Sequence, residues 1–316
     1  MNYRNSVKIL FSNFDHVWKM ALYFLLLSVV SIFLLYLSIS PMYLMLENSG
    51  VIEELLQVYT NFLSSLNLTE AFSAISSIVS RGIDTLFNDI ALIWPSLLGI
   101  GLVVVFFEFY TKGLVSLPVS NSVNYYLGSI NKRGFYASFS ETIGKNLKFE
   151  LCYYIVTLPF NVGIVIALIY SLSLFSISWV VSLIAIILLL AVFILLISLK
   201  QTLFSLWLPT YVIMNYGVFK SLRYSVKMLF RRFVKVFSGM VGVVLTIFLL
   251  NFILGVFTLG VGLLVSIPIS FTFYNIYGMV SAYDCQGMRY YVDIYNVITP
   301  KKKENADKLS DMKYIV

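Results

Sequence analysis

The sequence predicts an all-α, polytopic transmembrane helical bundle of six spans built as three repeated units, and three observations carry that reading. Hydrophobic residues make up 59% of the 316 positions and charged residues only 12%, with a mean hydropathy of +0.89. Soluble domains carry about 25% charge, and a water-soluble fold could not hide this much apolar surface. Second, the apolar residues gather into long uninterrupted runs. The stretch from Ile177 to Leu199 has no charge at all and exceeds the roughly 20 residues that cross a hydrocarbon core of about 30 Å. Third, the cations fall almost entirely on one side of those runs.

Taken in order, the predicted spans are 17–40, 90–109, 149–170, 175–199, 236–258 and 261–283. Helices are expected because each backbone group in hydrocarbon must be satisfied within its own segment. The run from Ala21 to Ile39 is too long for the apolar core of a signal peptide. No alanine between Ala21 and Ala71 builds a small-residue cleavage site, so the run reads as a retained first span. Ser171–Leu174 and Gly255–Gly262 read as tight uncharged turns, making antiparallel hairpins of spans 3–4 and 5–6. Residues 1–299 form the membrane domain, and the charged tail 300–316 reads as a disordered cytoplasmic segment.

Charge sets the orientation. Between spans 1 and 2 lie Glu47, Glu53, Glu54, Glu70, Asp84 and Asp89 against a lone Arg81. Between spans 4 and 5 lie Lys200, Lys220, Arg223, Lys227, Arg231, Arg232 and Lys235 with no acid. With both termini inside, every one of the 22 basic residues except Arg81 is cytoplasmic, as the positive-inside rule demands. This placement accounts for the net charge of +7 without a nucleic-acid partner. The expected location is the cell membrane, multi-pass. Cys152 and Cys285 fall near cytoplasmic helix ends, where thiols stay reduced.

An internal repeat is present. Residues 4–17 align without gaps to 223–236 with eight of fourteen positions identical, including Arg4/Arg223, Ser6/Ser225, Lys8/Lys227 and Phe11/Phe230. Each copy precedes a span running from inside to outside, and a weaker third copy lies around Phe139–Lys148. Each unit is expected to be a cytoplasmic interfacial helix followed by a membrane hairpin, repeated in the same direction. In the helix over 217–235, Phe219, Leu222, Val226, Leu229, Phe230 and Phe233 share a predicted apolar face. Lys220, Arg223, Lys227, Arg231 and Lys235 form the basic stripe. This stripe is the candidate site for anionic lipid headgroups. Topology alone would also place such cations.

The extracytoplasmic segment 48–89 predicts an amphipathic helical hairpin resting on the bundle or the bilayer. One stripe is Ile52, Leu55, Leu56, Tyr59, Phe62, Leu63 and Leu66. The other is Phe72, Ile75, Val79, Ile83, Leu86 and Ile90. Asn67 and Glu70 have capping-box spacing, and Asn67-Leu68-Thr69 matches a glycosylation sequon.

Four intramembrane polar residues are further candidates. Glu108 and Lys112 are spaced to pair along one helix near the inner end of span 2. Asn161, close to Pro159, and Asn251 sit in mid-span, where they would bond across helices or line a cavity. Gly239-x-x-Gly242 and Gly99-x-Gly101 read as packing contacts. His16 is the only histidine, so no Ser-His-Asp, Cys-His or HExxH set forms within the chain. Asp15 and His16 are expected to be solvated at the membrane surface. No phosphate-binding glycine loop, cofactor motif or metal-ligand spacing is present.

The run Leu206-Trp207-Leu208-Pro209-Thr210-Tyr211-Val212-Ile213, followed by Gly217, Lys220, Ser221 and Ser225, resembles the six-helix membrane domain of bacterial glycerophosphodiester phosphodiesterases. It also resembles related free-standing bacterial membrane proteins. The likeness covers roughly the last 110 residues, estimated from where the motif and its following spans lie. It implies the fold and a bacterial plasma membrane, and the catalytic domain of those enzymes has no counterpart here. The expected function is that of a non-catalytic integral membrane protein engaging anionic lipid or organising a membrane partner, a second copy included. The alternative is a small-solute transporter or channel.

Overall fold

The computed structural model describes residues 2–65, 68–88, 90–108, 110, 113–130, 133–172 and 179–299. The tail 300–316, Asn67 with its cap and sequon, Lys112, the turn after Leu172 and the start of span 4 lie outside them, as does the Glu108 side chain.

The described chain is helical almost throughout. The helices are α1 (Asn2–Ser12), α2 (Phe14–Asn48), α3 (Val51–Ser65), α4 (Leu68–Asn88), α5 (Ile90–Glu108) and α6 (Ser116–Ser129). They continue with α7 (Phe135–Leu172), α8 (Trp179–Ser205), α9 (Trp207–Met214), α10 (Val218–Arg231), α11 (Phe233–Phe257) and α12 (Leu263–Gln286). Strands β1 (Tyr290–Tyr291) and β2 (Val297–Ile298) pair antiparallel in a small hairpin that hydropathy does not foresee. Asp293 closes its turn by accepting from the N–H groups of Tyr295 and Asn296, each at 2.8 Å. The Asn296 side-chain amide, followed by these two N–H groups, holds the Asp293 carboxyl below its usual pKa.

Five helical stretches among the described residues are long and apolar enough to cross a membrane: Phe14–Asn48, Phe135–Ala167, Leu188–Met214, Phe233–Phe257 and Leu263–Gln286. A sixth qualifies only as a bent pair, Ser73–Asn88 with Ile93–Phe107, turning through 104°. The chain is therefore an all-α, multi-pass membrane protein. Helix α2 runs past the predicted end at Ser40 and carries Pro41 within it.

Contacts divide the chain into two compact units, one of Met1–Phe24 with Thr111–Val316 and one of Leu25–Tyr110. In the first, α12 is the axis: α1, α6, α9, α10 and α11 all pack on it. Its most apolar window is 61% buried, against 17–22% for the other four continuous stretches. Gly278 lets α12 approach the end of α8, since a Cβ there would lie 2.8 Å from the Ser205 carbonyl oxygen and 3.4 Å from Pro209 Cγ. In the second unit α3 and α4 form the expected helical hairpin, joined by the Arg81–Glu54 ion pair.

The repeat is structural as well as sequential. Asn13 breaks α1 from α2, and its aligned partner Arg232 breaks α10 from α11. Each break is held by a polar side chain. Asn13 Nδ2 donates to the Ile9 carbonyl at 2.9 Å. Arg232 Nη1 donates to the Asp284 carbonyl at 2.7 Å and lies 3.3 Å from its carboxylate. Burial repeats as well: Ser6 and Ser225, Ile9 and Met228, Leu10 and Leu229, and Val17 and Val236 are all buried. The weak third copy keeps this pattern, with Ser138, Thr142 and Asn146 buried where α10 buries Ser221, Ser225 and Leu229. It departs from the expected separate interfacial helix, because α7 runs unbroken. Where the other copies have Asn13 and Arg232, it has Phe149. That ring is buried against Trp207 and Tyr211, with centroids 5.2 and 5.1 Å away, and nothing draws the backbone out of the helix.

Replacing Gly278 with alanine is expected to destabilise the bundle by about 1–3 kcal/mol, the usual cost of overpacking. Gly101, with nothing within 4 Å of its Cβ position, should tolerate alanine without loss. Thermal denaturation of the two variants in detergent compares them.

Candidate functional site

Helix α10 follows Gly217, which starts it in extended conformation, and is strongly two-faced. The buried face is Val218, Ser221, Ser225, Met228 and Leu229, rotated from the predicted apolar face. Phe219 and Phe230 are 66% and 67% exposed. Serine can point inward here because its hydroxyl is satisfied locally. Ser221 Oγ donates to the Val218 carbonyl at 2.6 Å and Ser225 Oγ to that of Leu222 at 2.8 Å. Trp207, fully buried, ties the helix start to α9 by donating Nε1–H to the Val218 carbonyl at 2.9 Å.

The outward face thus holds two chemistries side by side. Phe219 and Phe230 form an apolar edge, and Lys220, Arg223, Lys227 and Arg231 form an exposed cationic one. Lys220 Nζ lies 4.4 Å from the centroid of the Tyr216 ring. Lys235 does not belong with the other four. Its Nζ is 2.6 Å from Asp284 Oδ2, the same oxygen that Arg232 and Asn2 approach. It is part of the joint between α1, α11 and α12.

Helix α1 presents the same outward set. Arg4, Lys8 and Phe11 occupy the positions of Arg223, Lys227 and Phe230, and Phe11 is 70% exposed. Its inner face is anchored by Asn5 Nδ2, which donates to Tyr290 Oη at 2.9 Å. Burial raises the Tyr290 hydroxyl pKa, opposed by that bond. The third copy has Ser140, Gly144 and Leu147 at the three outward positions and presents no such pair of cations.

The intramembrane candidates have separate surroundings. Asn251 joins α11 to α12: its Nδ2 donates to Ser270 Oγ at 3.1 Å, and its Oδ1 accepts from Ser266 Oγ at 2.6 Å. Asn161 Oδ1, on α7, accepts from Lys200 Nζ on α8. The two asparagines mark two different helix pairs.

Sequence reading passed over a buried polar cluster. Glu150, 8% exposed, lines a cavity of about 60 Å³ with Ser116, Tyr153, Tyr274 and Asn275. Ser116 Oγ donates to Glu150 and lies 3.4 Å from the Asn146 amide. The available signal was an acid one residue inside a predicted span. His16 is also a correction. It is buried, not solvated, and its Nε2 lies 2.9 Å from Ser122 Oγ. Because Ser122 gives its single proton to the Arg133 carbonyl at 2.8 Å, His16 is the donor in that pair. Among the described residues, no group of three or more His, Cys, Asp or Glu side chains is placed to hold a metal.

Replacing Asn251 with leucine is expected to lower stability in detergent by about 0.6 kcal/mol, the average for interhelical bonds in membrane proteins, and by no more than about 1.7 kcal/mol per bond lost. Replacing exposed Lys220 with glutamine should leave it unchanged. Paired melting curves test both.

No family model, curated protein or solved structure matches the chain.

Proposed function

We propose that this chain is a non-catalytic integral protein of the cell membrane that engages anionic lipid headgroups through its cytoplasmic face, with both termini on that side. One observation carries the reading: the exposed trio Arg223, Lys227 and Phe230 on α10 recurs as Arg4, Lys8 and Phe11 on α1, at matching burial. An aromatic edge that dips into the acyl region beside cations at headgroup level is the physical signature of an interfacial helix. The likeness to membrane domains of bacterial phosphodiesterases supports a bacterial plasma membrane.

The test titrates a short-chain phosphatidylglycerol into the detergent-solubilised full chain. Each cation near an anionic surface contributes roughly 1 kcal/mol, so Arg223→Gln, Lys227→Gln and Arg231→Gln together should weaken binding on the order of 100-fold at low ionic strength. Lys235 is left intact because it holds Asp284. Unchanged affinity in the triple variant would remove the proposal, leaving a protein partner or a second copy as the occupant of this face.

A second reading, a small-solute carrier, draws on the Lys200–Asn161 bond: Lys200, expected just beyond span 4, falls within the candidate stretch Leu188–Met214, and an ionisable group within a span is a functional hypothesis by default. It expects solute uptake by reconstituted vesicles that disappears in Asn161→Ala. Identical uptake in the two proteins would dismiss it.

A further inference from the structure

The helical hairpin α3–α4 has a property that the basic face does not explain. Its two helices pack through Val51, Val58 and Phe62 on one side and Ala74, Ile78 and Gly82 on the other. Ile78 is 4% exposed, and Val51 Cγ1 lies 3.3 Å from where a Gly82 Cβ would sit. Large apolar side chains nevertheless remain outside this seam: Leu56, Tyr59 and Leu63 on α3, and Ile75, Val79 and Ile83 on α4, all 43–60% exposed.

These six residues lie on one face. Tyr59 and Leu63 each follow a packing residue of α3 by one position, and Ile75, Val79 and Ile83 each follow a packing residue of α4 by one. One position is a rotation of about 100° in the same sense on both helices. The helices are antiparallel, as the Glu54–Arg81 pair and the Val51–Gly82 contact require. Equal rotation on antiparallel neighbours brings both edges to the same side of the hairpin. The opposite side carries exposed Gln57, Asn61, Ser73, Ser77 and Asp84. The hairpin is a two-sided plate.

We infer that the apolar side of this plate lies in the interfacial layer of a phospholipid bilayer. Two observations identify the occupant as lipid. The plate lies in the chain between α2 and α5, two apolar helices that themselves leave large apolar side chains exposed near it in sequence, Tyr43 and Leu44 on α2 and Trp94 and Leu98 on α5. The segment Ser73–Asn88 also turns 104° from Ile93–Phe107, so an α5 that crosses the membrane lays α4 nearly parallel to the surface. No charge sits on the apolar side, so anionic headgroups are not what holds it. The inference stands independently of the headgroup site on α1 and α10.

The test uses the full chain with Cys152 and Cys285 replaced by serine, reconstituted in zwitterionic phosphatidylcholine vesicles. A nitroxide is attached in turn through Leu56→Cys, Val79→Cys, Gln57→Cys and Ser77→Cys, all exposed positions that leave the packing seam untouched. Dissolved oxygen partitions into lipid and a nickel chelate stays in water. The ratio of oxygen to nickel collisions should be several-fold higher at 56 and 79 than at 57 and 77. Equal nickel access on both sides would overturn the inference, because the plate would then stand in water. So would exclusion of both reagents at 56 and 79, because protein would then cover that side.

Discussion

The close approach of helices to α12 is the constraint on which the first unit depends. Lipid chains are as apolar as leucine, so apolar area between helices supplies little net drive for association in a bilayer; packing and interhelical hydrogen bonds must do it. Helix α12 is built for that. Ser266, Ser270, Thr272, Asn275, Gly278 and Ser281 interrupt its apolar residues, leaving room for neighbours and supplying bonds to them. Tyr277 Oη donates to the Val236 carbonyl at 2.7 Å, over Gly239, where a Cβ would collide with the phenol ring. The same small and polar residues give α12 a mean hydropathy of 1.5 in its best window, against 2.6 for α11. The least greasy span is the central one because it faces protein.

The breaks before α2 and α11 serve a different end. A helix that ends leaves backbone carbonyls to be satisfied. Asn13 donates its own amide to the Ile9 carbonyl, and Arg232 donates to the Asp284 carbonyl near the end of α12 and pairs with its carboxylate. Asp284 also receives Asn2 and Lys235. One acid at the end of the axial helix thereby gathers both repeat copies around α12. In the third copy Phe149 has no polar group to offer, and the two segments fuse into α7.

Much of this was legible in the sequence because bilayers impose simple rules. Long uncharged runs are enough to foresee several helices of membrane-crossing length. The alignment of Arg4 with Arg223 placed both helix breaks at equivalent residues. The axial role of α12 was not legible, since hydropathy ranks spans by greasiness and says nothing about which one is surrounded by protein. The inner face of α10 was misjudged for a related reason: serine counts as polar on any scale, yet Ser221 and Ser225 bond to their own helix and face inward. Glu150 and His16 were overlooked or taken as solvated because their partners, Ser116 and Ser122, come from α6, over 30 and 100 positions away respectively.

The distinction between cations that orient a chain and cations that bind lipid turns on register. Orientation requires only that positive charge lie near span ends on one side; any position in the flanking loop would serve. The third copy illustrates that freedom, since it keeps the buried residues of the repeat and places Lys145 and Lys148 out of step with the others. In α1 and α10 the arginine, the lysine and the exposed phenylalanine keep identical spacing on the outward face, although the burial of the inner face does not depend on them. A headgroup seated between two cations one turn apart, with an aromatic ring reaching into the acyl layer, requires that spacing, and orientation does not. The order of the residues, more than their charge, supports the reading of these helices as lipid-engaging elements.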